Sequence, residues 1–304
     1  MARRFLSTLA SHIEIERKFL PTRALLNALT RSTSTPRLPP LIARVHPAPE
    51  HFIQDVYYDR ADGRLVSEGV WVRRRSVFVP GDSPTSISSS TSSWEAKVRV
   101  GGDFAASQFV EVQGAEAVER EILRALGGRT RVVLDKIDEH LAVMCDLTTR
   151  RLESRLELSS SASTEFADDE NDAGLKNLTV VIDQAIETPR ADFAVARSLL
   201  ERMSAFDELD VASSPTPSPS RAPFFSHEIG ELEIMQEVRT EGDTEEQTTQ
   251  KHEWRRKTVA GRRAFQLEAF MREHPALFPM EPKPRGKLEA YFTWVEERDK
   301  ARIA

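Results

Sequence analysis

Glu14, Glu16 and Lys18 stand at alternate positions of the stretch HIEIERKF, residues 12–19. In an extended chain they project from one face, while Ile13, Ile15 and Arg17 take the other. Carboxylates grouped in this way can hold a hard divalent cation, and an ammonium beside them engages anionic oxygens. The alternation recurs downstream. Trp71, Arg73 and Arg75 oppose Val70 and Val72, Glu95 and Lys97 oppose Trp94, Ala96 and Val98, and Glu111 opposes Val110 and Val112. Arg151, Glu153, Arg155 and Glu157 oppose Leu152, Leu156 and Leu158, and Glu231 and Glu233 oppose Leu232 and Ile234. From parity alone, an open antiparallel sheet with one wet face is the simpler reading. The makeup of the polar faces argues against it: an exposed sheet face carries much Thr, Ser and Gln, whereas these are dominated by Arg, Lys and Glu. Closing about eight such strands into a barrel puts the charges inside and the apolar residues outside, beneath helices. A charged lumen then needs internal partners, metals or a charged ligand to offset desolvation.

The elements that must position these residues follow from periodicity. Period-two alternation predicts strands near 12–19, 52–58, 70–79, 94–100, 108–113, 141–158, 177–184 and 228–236. Helices are fewer. A short one opens at Pro21 and carries Leu25, Leu26 and Leu29, and another over 115–126 ends at Gly127-Gly128. A third near 259–273 places Ala260, Ala264, Leu267 and Met271 on one stripe, and the last, 288–300, places Leu288, Tyr291, Phe292 and Val295 on one face. The predicted class is α+β, a closed antiparallel eight-stranded β-barrel, or tunnel, with flanking helices and a charged lumen. Four polar stretches, 81–93, 159–173, 211–223 and 239–251, read as disordered insertions into one domain spanning 1–304 with its core at 12–300, because strand patterns resume beyond them.

Composition narrows the function classes. With 304 residues, 39% hydrophobic and 30% charged, the chain can build a core, and collagen-like or wholly disordered readings are excluded. No apolar run approaches the roughly 18 residues that span a bilayer, so no membrane partner is expected. The 42 Lys and Arg against 48 Asp and Glu give a formal net charge of −6. That balance argues against a nucleic-acid partner and requires any anion to be met by local positive charge. The single cysteine, Cys145, forms no internal disulfide, which favours a reducing, cytoplasmic setting. Arg3 and Arg4 within an acid-free first thirteen residues fit a mitochondrial presequence only weakly. A monomer is expected.

Taken in order, HIEIERKF, DVYYD (55–59), GVWVRRR (69–75), WEAK (94–97), TTRR (148–151), GELE (230–233) and GKLEAY (286–291) are far more specific than any one of them. In this arrangement the sequence resembles the CYTH superfamily, the triphosphate tunnel metalloenzymes, and within it the thiamine triphosphatases, over residues 12–300. The resemblance implies that Lys18, Arg73, Arg75, Lys97, Arg151 and Lys287 bind a triphosphate. It implies Glu14, Glu16, Asp183, Glu231 and Glu233 as ligands of Mg²⁺, with Mn²⁺ as the alternative, and Glu14, Glu16 and Lys18 as catalytic. Trp71 falls where thiamine triphosphatases place a tryptophan beside the organic end of the substrate. Three features depart from the family pattern. Val181 replaces an acid two residues before Asp183, Phe109 replaces a tyrosine, and a long stretch separates Asp183 from GELE where a short turn is usual.

The residue types fit that chemistry. A triphosphate carries about four negative charges at neutral pH, which Arg and Lys meet with charge-assisted hydrogen bonds. The implied reaction is metal-dependent hydrolysis of thiamine triphosphate to thiamine diphosphate and phosphate by water, with no covalent nucleophile. The sequence contains no GxSxG, HExxH, Walker-type GxxxxGK[ST] or zinc-like Cys/His spacing. Glu95, Glu111, Glu153, Arg155 and Glu157 are expected to position the bases, and His12, His227 and Cys145 to be structural. Inorganic tripolyphosphatase and class IV-type adenylyl cyclase stay open as alternatives. So does a non-catalytic polyphosphate- or nucleotide-binding module, for which Val181 is the argument.

Overall fold

The computed structural model describes residues 7–30, 42–78, 91–102, 106–128, 132–159, 175, 178–189, 192–203, 224–242 and 244–303. Its strands are β1 (Ser7–Phe19), β2 (Ile42–Pro47), β3 (His51–Asp59), β4 (Val70–Phe78), β5 (Thr91–Gly102), β6 (Ala106–Gln113), β7 (Ala142–Leu158), β8 (Leu178–Glu187) and β9 (Ser226–Gly242). All pairings are antiparallel. Around the ring the order is β7-β3-β4-β5-β6-β1-β9-β8, and β8 pairs back onto β7, so eight strands close into a barrel. The eight strands read from the sequence form this ring. β2 was not foreseen: it lies beyond β3 on the same side of β7, facing Ser154–Leu158. It therefore lengthens one wall of the barrel without widening it.

The helices are α1 (Arg23–Thr30), α2 (Arg64–Ser67), α3 (Ala115–Ala125), α4 (Phe193–Arg202), α5 (Glu245–Glu273) and α6 (Lys287–Ile303), with a 3-10 helix at Leu134–Glu139. Most of them cover the apolar outer wall. Leu25, Leu26 and Leu29 of α1 and Leu267, Phe270 and Met271 of α5 pack over Ile13, Ile15, Val180, Ile182, Leu232 and Ile234. Leu65, Val118, Ile122 and Ile137, from α2, α3 and the 3-10 helix, pack over Val56, Val70 and Val72. The outward parity is thus apolar because helices bury it. α6 differs, since its Tyr291 and Trp294 pack on Tyr57, Cys145 and Leu147, the inward set of β3 and β7. Its first turn consequently reaches the lumen.

Two sequence expectations need correction. Residues 239–251 are not an insertion: Arg239–Gly242 pair with Ser7–Ala10, Thr244 caps the next helix by accepting from the Gln247 N–H at 3.3 Å, and α5 begins at Glu245. The helix was read only from 259 because its first half is charged and lacks a regular apolar stripe. Thr91–Ser93, at the end of the expected insertion 81–93, pair with Arg75–Val77 in the barrel wall. Residues 81–90, 160–173 and 211–223 lie outside the described residues. Part of the long stretch after Asp183 is α4, which Asp192 caps by accepting from the Val195 N–H at 3.2 Å. Ala196 and Leu200 of α4 pack on Phe52 and Ile186.

The glycine of GELE has a packing reason. Gly230 lies directly opposite Phe19, and a Cβ built there would sit 2.2 Å from a ring carbon of that fully buried phenylalanine. Gly230→Ala is expected to cost about 1–3 kcal/mol through forced displacement of the ring, measured as a lowered denaturant midpoint. An unchanged midpoint would show that the wall yields freely at this point.

Candidate active site in the barrel lumen

Strand register decides which charged residues meet. Across β1 and β9, Glu16 faces Glu233 and Lys18 faces Glu231. Across β3, β4 and β5, Arg75 faces Asp55, Arg73 faces Tyr57 and Glu95, and Trp71 faces Lys97. Lys97 also faces Glu111 on β6, and Arg151 on β7 faces Asp183 on β8. In the ring, β4 stands opposite β9, so the arginine pair looks across the lumen toward the carboxylates. The cavity so enclosed has a volume of about 330 Å³. Every site residue selected from the sequence lines it except Asp183.

Each base is held by a carboxylate. Arg75 donates from Nε and Nη2 to the two oxygens of Asp55 at 2.8 and 2.7 Å, and Arg151 donates likewise to the two oxygens of Asp183 at 2.8 and 2.7 Å. Arg73 donates to Glu95 Oε2 from Nε at 2.9 Å and Nη2 at 2.7 Å. Lys287, at the start of α6, donates to Asp183 Oδ2 at 2.5 Å. Lys97 lies 2.5 Å from Glu14 and 3.4 Å from Glu16, and Lys18 pairs with Glu16 and lies 3.4 Å from Glu231. These pairs set the charge states. Burial pushes the Asp55 and Asp183 carboxyls up, but Arg75 and Arg73 in one case and Arg151 and Lys287 in the other hold both well below the ordinary carboxylate range. Burial pushes the Lys18 and Lys97 ammoniums down, and Glu16 and Glu231 in one case and Glu14 and Glu16 in the other more than reverse it, so both stay cationic. Lys18 is accordingly a fixed positive charge and not a base at neutral pH.

The acids divide into two groups. Asp183, fully buried, spends both oxygens on Arg151 and Lys287. It positions two bases and stands apart from the cluster that could hold a metal. Glu231 lines the cavity, paired with Lys18, and also lies outside that cluster. The cluster is Glu14, Glu16 and Glu233, which offer one oxygen each, all within 4.8 Å of one another.

The trio fits a divalent cation on three observations. Glu14 Oε2 is buried, close to Lys97 but without hydrogen-bond geometry to any partner. Glu233 has its carboxyl driven well above its usual range by burial and by the neighbouring Glu14 and Glu231, a conflict that added positive charge would relieve. Burial also raises Glu16, yet Lys18 and Lys97 outweigh it and keep Glu16 ionised. A set of carboxylate oxygens alone suits Mg²⁺ or Mn²⁺. Val181, opposite Glu231 and buried, makes β8 apolar at the position where an acid was expected.

The structure adds site residues that the sequence reading passed over. Asp55 is buried and anchors Arg75, with Arg73 at 3.9 Å. Its signal was available, since it shares parity with Tyr57 within DVYYD. Arg99 places its guanidinium 4.7 Å from the centre of the Trp71 ring, and Phe109 meets the same ring edge-on at 5.4 Å. Lys97 Nζ lies 5.3 Å from the Phe109 ring centre, so a phenylalanine serves there as a cation-facing wall. Gly286 lies against Lys18: a Cβ there would come within 3.0 Å of Lys18 Cε. Of the five residues expected to position the bases, Glu95 and Glu111 contact Arg73 at 2.7 and 3.8 Å, whereas Glu157 is exposed and pairs with His46.

Comparison with known proteins locates similar chains by structure only: no family model and no curated protein sequence matches. The PH1819 protein of Pyrococcus horikoshii OT3 is 10% identical, with a TM-score of 0.38 over 92% of this chain and 98% of that one. HpAC1 from Hippeastrum, described as a candidate adenylyl cyclase that reveals a dominant triphosphatase activity, is 14% identical with a TM-score of 0.33, covering 86% and 87%. A protein of Bacillus halodurans described as a candidate adenylate cyclase is 12% identical with a TM-score of 0.34, covering 93% and 98%. Likeness at these values is one of overall fold and does not extend to the lumen residues.

Proposed function

We propose that this chain is a divalent-metal-dependent triphosphatase of the CYTH, or triphosphate tunnel, kind. The observation that carries the reading is the juxtaposition in one cavity of the carboxylate trio Glu14, Glu16 and Glu233 with the tethered cations Arg73, Arg75, Lys97 and Arg151. Such a lumen suits a short polyanion together with a small cation. A neutral ligand suits it poorly, because the bare Glu14 oxygen and the mutually repelling Glu14, Glu231 and Glu233 would stay uncompensated. Glu14, Glu16 and Glu233 would hold the metal, and a divalent ion there would supply Lewis acidity toward phosphate oxygens. Arg73, Arg75 and Arg151 are pre-oriented by Glu95, Asp55 and Asp183, so binding a phosphate chain requires little side-chain ordering. Lys18 and Lys97 remain positive beside the trio and stabilise charge on the transferred phosphoryl group.

For the substrate we propose thiamine triphosphate, supported by Trp71 on the cavity wall beside the arginines. One observation favours tripolyphosphate as a second reading: Arg99 already occupies a face of Trp71, and a guanidinium there repels a cationic thiazolium. A substrate panel decides between them. With Mg²⁺, phosphate release is expected from thiamine triphosphate ahead of ATP and tripolyphosphate, and a chelator is expected to abolish it. Arg99→Ala is expected to shift the preference further toward thiamine triphosphate, and Trp71→Ala away from it. Tripolyphosphate cleaved far better by the wild type would establish the second reading, cyclic AMP formed from ATP would establish a cyclase, and binding without turnover under any metal would establish a non-catalytic module.

A further inference from the structure

α5 carries a feature that the lumen does not use. From Lys251 to Arg263 the sequence holds six Lys or Arg against one acid, Glu253, in a chain of net charge −6. Its inner face, Ala260, Leu267, Phe270 and Met271, is buried on the barrel. Its outer face exposes two large aromatics, Trp254 at 68% and Phe265 at 74%. Eleven residues separate them, about three turns, so they share one side of the helix roughly 16 Å apart. Lys251, Thr258 and Arg262 flank that stripe on one side and Lys257 on the other, all exposed, with Gly261 between the rings presenting bare backbone.

We propose that this face of α5 docks on an anionic lipid surface, the helix lying in the interfacial plane. The pattern matches what such a surface selects. Aromatic rings enter the boundary between headgroups and acyl chains, and basic side chains on both flanks reach anionic headgroups. No helix among the described residues is long and apolar enough to cross a membrane, so the association is peripheral and reversible. It also revises the expectation of no membrane partner, which rested on the absence of a spanning segment alone. The face lies on the outer wall over β1 and β9, away from the cavity, so docking leaves the lumen residues in place.

Sedimentation with vesicles tests this on the full chain. Binding is expected to phosphatidylcholine vesicles containing phosphatidylserine and not to phosphatidylcholine alone, weakening as salt screens the basic flanks. A blue shift of tryptophan emission is expected on binding and is lost in Trp254→Phe, which keeps an aromatic ring in place. Trp254→Ser/Phe265→Ser is expected to weaken binding by about tenfold or more, and Lys257→Glu/Arg262→Glu to abolish it. Both variants should unfold at the wild-type temperature because the replaced side chains are exposed. Failure to sediment with the anionic vesicles would overturn the proposal. So would equal binding to neutral vesicles, or a concentration-dependent dimer that the Ser variant dissolves, which would make a second copy the occupant.

Discussion

Glu16→Gln is expected to lower triphosphate hydrolysis by about a hundredfold or more while leaving the barrel folded. The side chain lines the lumen, opposite Glu233 and in contact with both Lys18 and Lys97. Glutamine keeps its shape and removes its charge. The neighbouring cations keep other partners, Glu231 for Lys18 and Glu14 for Lys97, so the substitution leaves no buried cation alone. What it removes is an ionised member of the trio, and with it metal affinity. The measurement is kcat at saturating Mg²⁺ beside an unfolding midpoint. Hydrolysis within a few-fold of wild type would show that the metal, if one acts, is held elsewhere.

Asp183→Asn is expected to act on the fold as well as on the reaction. Asp183 is fully buried and compensates two cations, Arg151 and Lys287, and neutralising it takes from both the carboxylate they share. Breaking a buried ionic cluster from one side costs about 3–5 kcal/mol, a large share of the stability of an ordinary domain. Hydrolysis should fall in parallel, because both bases lose their orientation. The pH dependence carries a sign. Asp183 and Asp55 have folded-state pKa values below their unfolded ones, so their stabilisation is present above the usual carboxylate range, about pH 4, and is lost as pH falls toward the folded values. The wild type should thus lose stability steeply in acid, and Asp183→Asn should lose less over the same interval. Equal slopes and equal denaturant midpoints would remove Asp183 from this role.

The sequence disclosed the barrel more fully than it disclosed the site. Parity placed Glu14, Glu16, Lys18, Arg73, Arg75 and Lys97 on common faces, and the inward direction followed from which residue types filled them. Parity carries no information about register, however, and register is what separates the acids. Asp183 shares the chemistry of Glu233, but it faces Arg151 where Glu233 faces Glu16, and so becomes a tether for bases. Asp55 shows the converse. Its place in DVYYD was visible, and only the pairing of β3 with β4 reveals that it anchors Arg75. β2 was hidden because its six residues, with Arg44, His46 and Pro47 among them, show no clear alternation. The first half of α5 was hidden because its outward residues are charged or aromatic and give no regular apolar stripe.

The proposed function requires one cavity to take a divalent ion and a polyanion together. Titration of the purified chain with Mn²⁺, followed by loss of the free-ion electron spin resonance signal, tests it directly. Binding of the ion is expected, tightened by a non-hydrolysable triphosphate analogue and lost in Glu14→Gln/Glu16→Gln/Glu233→Gln. Undiminished Mn²⁺ binding in that triple variant, or affinity indifferent to the analogue, would contradict it.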